Sequence, residues 1–111
     1  VSPAWAANAV TTGSVSLSAD DAFAALMEGR TIIDLDDGLQ LRRVRVMGAY
    51  RIELSGFTDT MRERLSAYGL FHEIISWKLR MFVPTDASGV AVLARLLDRW
   101  SVERISEREA A

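Results

Sequence analysis

The 111-residue chain has no cysteine, which removes disulfide frameworks, thiolate zinc sites and thiol catalysis. That usage fits a reducing compartment, and a cytoplasmic location is the expectation. Only one histidine is present, His72. It has no second histidine at zinc-protease spacing and falls within a predicted strand, so it reads as a structural or surface residue. Ser55 precedes Gly56 outside any G-x-S-x-G, and no G-x-x-x-x-G-K-[ST] occurs, so neither a serine nucleophile nor a phosphate-cradling loop is supported. No apolar run approaches the ~18 residues of a spanning helix, and no membrane partner is expected. The net charge of −2 gives no bulk attraction for nucleic acid; such a surface must come from local clustering.

Half of the residues are hydrophobic and a quarter charged, the balance of one globular domain. The chain begins with Val1 rather than Met and is expected to be a piece of a longer polypeptide. Residues 1–17 read as a tail or linker, in which "SVSL" could add a short strand and Trp5 an anchor onto a partner. Residues 18–111 read as a single domain.

Ser18 precedes Asp20 and Asp21, followed by Phe23, Leu26 and Met27 on one face and then Gly29. This is an N-capped amphipathic helix with a glycine stop. "TIIDL" and "LQLRRVRVM" flank Asp37-Gly38, a hairpin signal because both turn residues tolerate positive φ. Leu39 and Leu41 share one parity and Val44 and Val46 the other, which predicts a bulge at Arg42-Arg43. "YRIEL" completes a three-stranded meander. Met61, Leu65 and Tyr68 then mark a second helix, capped by Thr58 or Thr60 and ended at Gly69. "FHEIISWKLRMFV", residues 71–83, reads as one long strand with Phe71, Ile75, Trp77, Leu79, Met81 and Val83 inward. Pro84 ends it. Thr85 or Asp86 caps a third helix with Val90, Leu93, Leu97 and Trp100 buried, and "SVERISEREAA" reads as its solvated continuation.

The expected fold class is α/β (α+β): a two-layer sandwich of order α-β-β-β-α-β-α, with a four-stranded mixed sheet and three helices on one face. The unit from Tyr50 to Val83 would be a right-handed crossover with parallel strands.

Lys78 and Arg80 then lie on the face away from the helices. Arg51 and one or two of Arg42, Arg43 and Arg45 join them, with Ile74, Phe82 and Tyr50 interleaved. The candidate contact residues are Arg42, Arg45, Arg51, Lys78 and Arg80. Such a face suits a nucleic-acid backbone, a second domain of the same polypeptide, or plain solvation. "DLDDG" fails the calcium-loop spacing, since position 12 would be Arg45, and reads as turn chemistry. A carboxylate site at Asp34, Asp36 or Glu73 is the weaker enzymatic alternative. No catalytic, metal or cofactor residue is assigned.

The stretch "RIELSGFTDTMRERLSAYGLFHEIISWKLRMFVPT", Arg51 to Thr85, with "VLARLLDRW" after it, resembles the C-terminal part of bacterial strawberry notch proteins. These are large chains built around a helicase-like NTPase core, and the likeness covers roughly residues 20–100. The nucleotide-binding motifs of that family are absent here. The resemblance therefore implies a non-catalytic accessory module of a helicase-like NTPase. It would contact the rest of its polypeptide, or DNA or RNA, through the basic sheet face. The alternative is a protein-interaction or self-association module with no nucleic-acid role.

Overall fold

A computed structural model describes residues 10–108. The elements in chain order are β1 (Val10–Val15), α1 (Ala19–Glu28), β2 (Thr31–Leu35), β3 (Gln40–Val46), β4 (Ala49–Ser55), α2 (Asp59–Ala67), β5 (Phe71–Ile75), β6 (Lys78–Val83), α3 (Gly89–Arg99) and β7 (Val102–Glu107). The strands form one seven-stranded sheet, ordered β1-β7-β2-β3-β4-β6-β5. All paired neighbours run antiparallel. The expected four-stranded mixed sheet is therefore wrong in both strand number and direction, although the two-layer α/β class holds.

One apolar cluster lies between the sheet and the helices. Ala22 and Leu26 of α1, Leu65 of α2, and Val92, Leu93 and Leu96 of α3 meet Ile33, Leu41, Ile52, Leu54, Met81, Val83 and Ile105 of the sheet. Because successive side chains alternate across a sheet, these strand residues define a helix-side face, and their neighbours a second face. Ser18 caps α1 by accepting the Asp21 amide at 3.1 Å, and Gly29 closes it at φ 101°, as the sequence signals require. Asp37 and Gly38 both take positive φ between β2 and β3, and Trp100 is buried, its indole N–H donating to Asp37 Oδ2 at 3.0 Å.

Three local departures produce the different sheet. First, residues 71–83 are a hairpin, not one strand. Ser76 and Trp77 both take left-handed φ, 52° and 67°, so Ile75 faces Lys78 across a two-residue turn. The turn inverts parity: Phe71, Glu73 and Ile75 share the second face with Lys78, Arg80 and Phe82. Trp77, expected in the core, is 99 % exposed at the tip. No Gly, Asn, Asp or Pro announces this turn. Since the hairpin folds back, β6 meets β4 antiparallel, with Ile52 opposite Val83, and the expected parallel crossover does not form.

Second, the segment read as a helical continuation is β7, which lies between β1 and β2. Asp34 faces Arg104 while Leu35 faces Val102, so Glu103 is an extra residue, a bulge. It places the buried Val102 and Ile105 at a spacing of three, which imitates a helix. Third, β3 keeps an unbroken register with β4 from Gln40↔Ser55 to Val46↔Ala49, so the bulge predicted at Arg42-Arg43 is absent. The switch of apolar parity arises because Arg43 occupies the helix-side face at the end of α1, where helix carbonyls attract a cation.

β1, drawn from the segment read as a tail, pairs with β7. Its span replaces the "SVSL" strand and overlaps it only at Ser14 and Val15. Trp5 lies outside the described residues. Among the described residues, no helix is long and apolar enough to cross a membrane.

Candidate functional site

The five candidate cations do not form one surface. On the second face, Arg80 donates through Nε to Glu53 Oε2 at 2.7 Å and through Nη2 to Oε1 at 2.8 Å. This is a bidentate pair from β6 to β4 around a carboxylate only 8 % exposed. Glu53 raises the pKa of Arg80, chiefly by accepting these hydrogen bonds. Arg51 pairs with Glu73 of β5. Both guanidinium groups lie over the buried Phe82 ring, their carbons 5.0 Å (Arg51) and 5.6 Å (Arg80) from its centroid. Phe71 packs on the same ring at 5.6 Å. Arg80 with Glu53 and Arg51 with Glu73 are thus closed, charge-balanced pairs at the centre of this face. An ion already matched by a neighbouring carboxylate has little net field to offer a phosphate.

Arg42 sits opposite Glu53 on β3; its Nε is buried without a hydrogen-bond partner among the described residues. Lys78 is exposed at the end of the sheet marked by the β5–β6 turn. Arg45 has the opposite parity from Arg42 and Arg51, so the sheet separates it from them.

Positive charge concentrates instead beside the β3–β4 turn. Met47 and Gly48 form that turn, both at positive φ, and Met47 is 93 % exposed. Just inside it, Arg45 faces Tyr50 across the strands. The Arg43 guanidinium lies 3.8 Å from the Tyr50 ring centroid and that of Arg45 5.6 Å. Arg43 also donates to the Met27 carbonyl of α1 at 2.9 Å. Arg108 donates to the Arg43 carbonyl at 2.6 Å and to the Gly29 carbonyl at 3.4 Å. Gly29 leaves room for this arrangement, since a Cβ there would come within 2.2 Å of the Arg43 guanidinium. The resulting cavity of about 360 Å³ is lined by Gly29, Arg42, Arg43, Val44, Arg45, Tyr50 and Arg108. Among the described residues its lining includes four arginines and no carboxylate; strand parity puts the Arg42 side chain on the second face, so the guanidinium groups at the cavity are those of Arg43, Arg45 and Arg108.

Sequence reasoning selected Arg42 and Arg45 and named Arg43 and Tyr50 as neighbours, but it missed Arg108, which the helical reading of the C-terminal segment hid. Only the strand pairing that brings β7 beside β2, and so beside Gly29, puts that residue in place. A second cluster, Asp34, Asp36, Asp37 and Glu103, is acidic. Glu103 has a raised pKa because its side chain hydrogen-bonds Asp36 and the neighbouring aspartates repel its charge. Among the described residues, no group of three or more potential ligands could hold a metal ion. No family model, curated protein or solved structure matches the chain.

Proposed function

We propose that this domain is a non-catalytic accessory module of a cytoplasmic, helicase-like NTPase that contacts the phosphate backbone of nucleic acid through the arginine cavity at the β3–β4 turn. The observation that carries this reading is the guanidinium groups of Arg43, Arg45 and Arg108 beside one cavity that has no acid in its lining among the described residues. Two of them, Arg43 and Arg108, are held by backbone carbonyls, which orient a guanidinium without cancelling its charge. Arginine remains protonated at any physiological pH, so this set attracts and positions an anion but does not shuttle protons. The likeness of Arg51–Thr85 to strawberry notch proteins supports placing the module beside a nucleic-acid-dependent motor. The contact surface proposed here is not the ion-paired centre of the sheet.

Titration of the isotopically labelled domain with a short oligonucleotide, followed by amide chemical shifts, tests the location. Shifts should concentrate at residues 43–50 and at Arg108. Shifts centred on Arg51, Glu73 and Arg80, or none, would defeat the proposal.

One observation favours a protein-contact alternative. β5 is an edge strand, and the pairing of Ile75 with Lys78 next to the turn leaves the N–H and C=O of His72 and Ile74 on its open side. Ile74 is 71 % exposed there, which makes it a template for strand addition by another copy. Sedimentation of the wild-type domain and of Ile74→Lys separates the readings, because only self-association through β5 makes the wild type heavier than the variant.

A further inference from the structure

We infer that the Tyr50 ring is a stacking platform for one unpaired base, so the nucleic acid held at the β3–β4 turn is single-stranded. This rests on the backbone-contact reading above and adds the class of ligand. Tyr50 is 49 % exposed although it stands next to the core residue Ile52 on the helix-side face. Its ring is nevertheless fixed. The Arg43 guanidinium at 3.8 Å is itself tied to the end of α1, so little freedom is lost when a base lands on the ring. Met47, three residues before it and almost fully exposed, extends the apolar surface at the tip. Arg45 and the rest of the cavity lie at the margin of the ring, close enough for a phosphate flanking the stacked base to be held electrostatically.

A duplex turns its base faces inward, whereas a single strand presents them, and aromatic side chains bind them with little regard to sequence. Exposed aromatic area beside arginines that no described carboxylate pairs therefore discriminates for unpaired strands. An arginine cluster alone would not, because phosphates are common to both forms.

The test compares a labelled oligo-dT, an abasic oligomer with the same number of phosphates, and the corresponding dT·dA duplex. Wild type should bind oligo-dT about tenfold tighter than the abasic oligomer, and tighter than the duplex. Tyr50→Ala should abolish the preference, binding oligo-dT no tighter than it binds the abasic oligomer, while Tyr50→Phe keeps the preference. Arg45→Ala should weaken oligo-dT and the abasic oligomer by the same factor. Equal binding of oligo-dT and abasic oligomer by the wild type overturns the stacking inference and leaves the backbone contact standing. So does a preference for duplex. Failure to bind any of the three overturns both.

Discussion

Replacing Arg80 by alanine should be among the most damaging changes available on the second face of the sheet. Glu53 is 8 % exposed, and both its carboxylate oxygens are engaged by one guanidinium at 2.7 and 2.8 Å. With Arg80 gone, a desolvated negative charge remains between strands. Breaking a buried pair from one side costs about 3–5 kcal/mol. Arg42 faces Glu53 from β3 and provides a substitute cation, which puts the expected loss at the lower end, about 3 kcal/mol. For a domain of this length that lowers Tm by more than about 10 °C. The double variant Glu53→Leu with Arg80→Met removes both charges and keeps the volume, and should lie within about 1 kcal/mol of wild type. Urea denaturation of wild type, Glu53→Leu, Arg80→Met and the double variant completes the cycle, with Arg80→Ala measured beside them. A loss below about 0.5 kcal/mol for Arg80→Ala, the size of an exposed pair, would refute the description of Arg80 with Glu53 as a closed, charge-balanced pair.

Two further outcomes follow from local features. Glu103 has its folded pKa raised by Asp36 and the neighbouring aspartates, so the folded state holds this proton to higher pH than the unfolded chain does. Stability from that source is present below the unfolded pKa and is lost as pH rises through the folded one. Glu103→Gln should therefore raise Tm at neutral pH and flatten the decline above about pH 4.5; an unchanged pH profile would contradict the assignment. At the β5–β6 tip, Ser76 and Trp77 hold left-handed φ at a cost of roughly 1–2 kcal/mol per residue. Replacing them by Asn-Gly, the natural pair for this turn, should raise the denaturation midpoint without changing oligonucleotide affinity. A lower midpoint would show that Trp77 contributes packing its exposure does not reveal.

The elements legible in the sequence were those whose chemistry is local. Ser18 and Gly29 bound α1, and Asp37-Gly38 turns β2 into β3, because a cap or a positive φ needs particular residue types at the spot. The sheet was misread where a nonlocal requirement overrode that code. Ser76-Trp77 carries no turn signature, and its geometry is enforced by cross-strand partners such as Glu73 opposite Arg80 and Phe71 opposite Phe82. The bulge at Glu103 converts strand alternation into an apparent helical spacing, which hid β7 and with it Arg108. The basic face suffered for a related reason. Parity assigned Arg51 and Arg80 to the second face correctly, but only the three-dimensional pairing with Glu73 and Glu53 reveals that their charge is matched. The same parity rule, once the predicted bulge is removed, moves Arg45 to the other side of the sheet, beside Tyr50.

The salt dependence of oligonucleotide affinity tests most directly where the unmatched positive charge resides. Arg45→Ala should reduce the slope of log affinity against log salt by about 0.7 for a single strand, one released counterion. The charge-free pair Glu53→Leu with Arg80→Met should leave that slope unchanged. A slope that falls with the double variant and stays constant with Arg45→Ala would contradict the account.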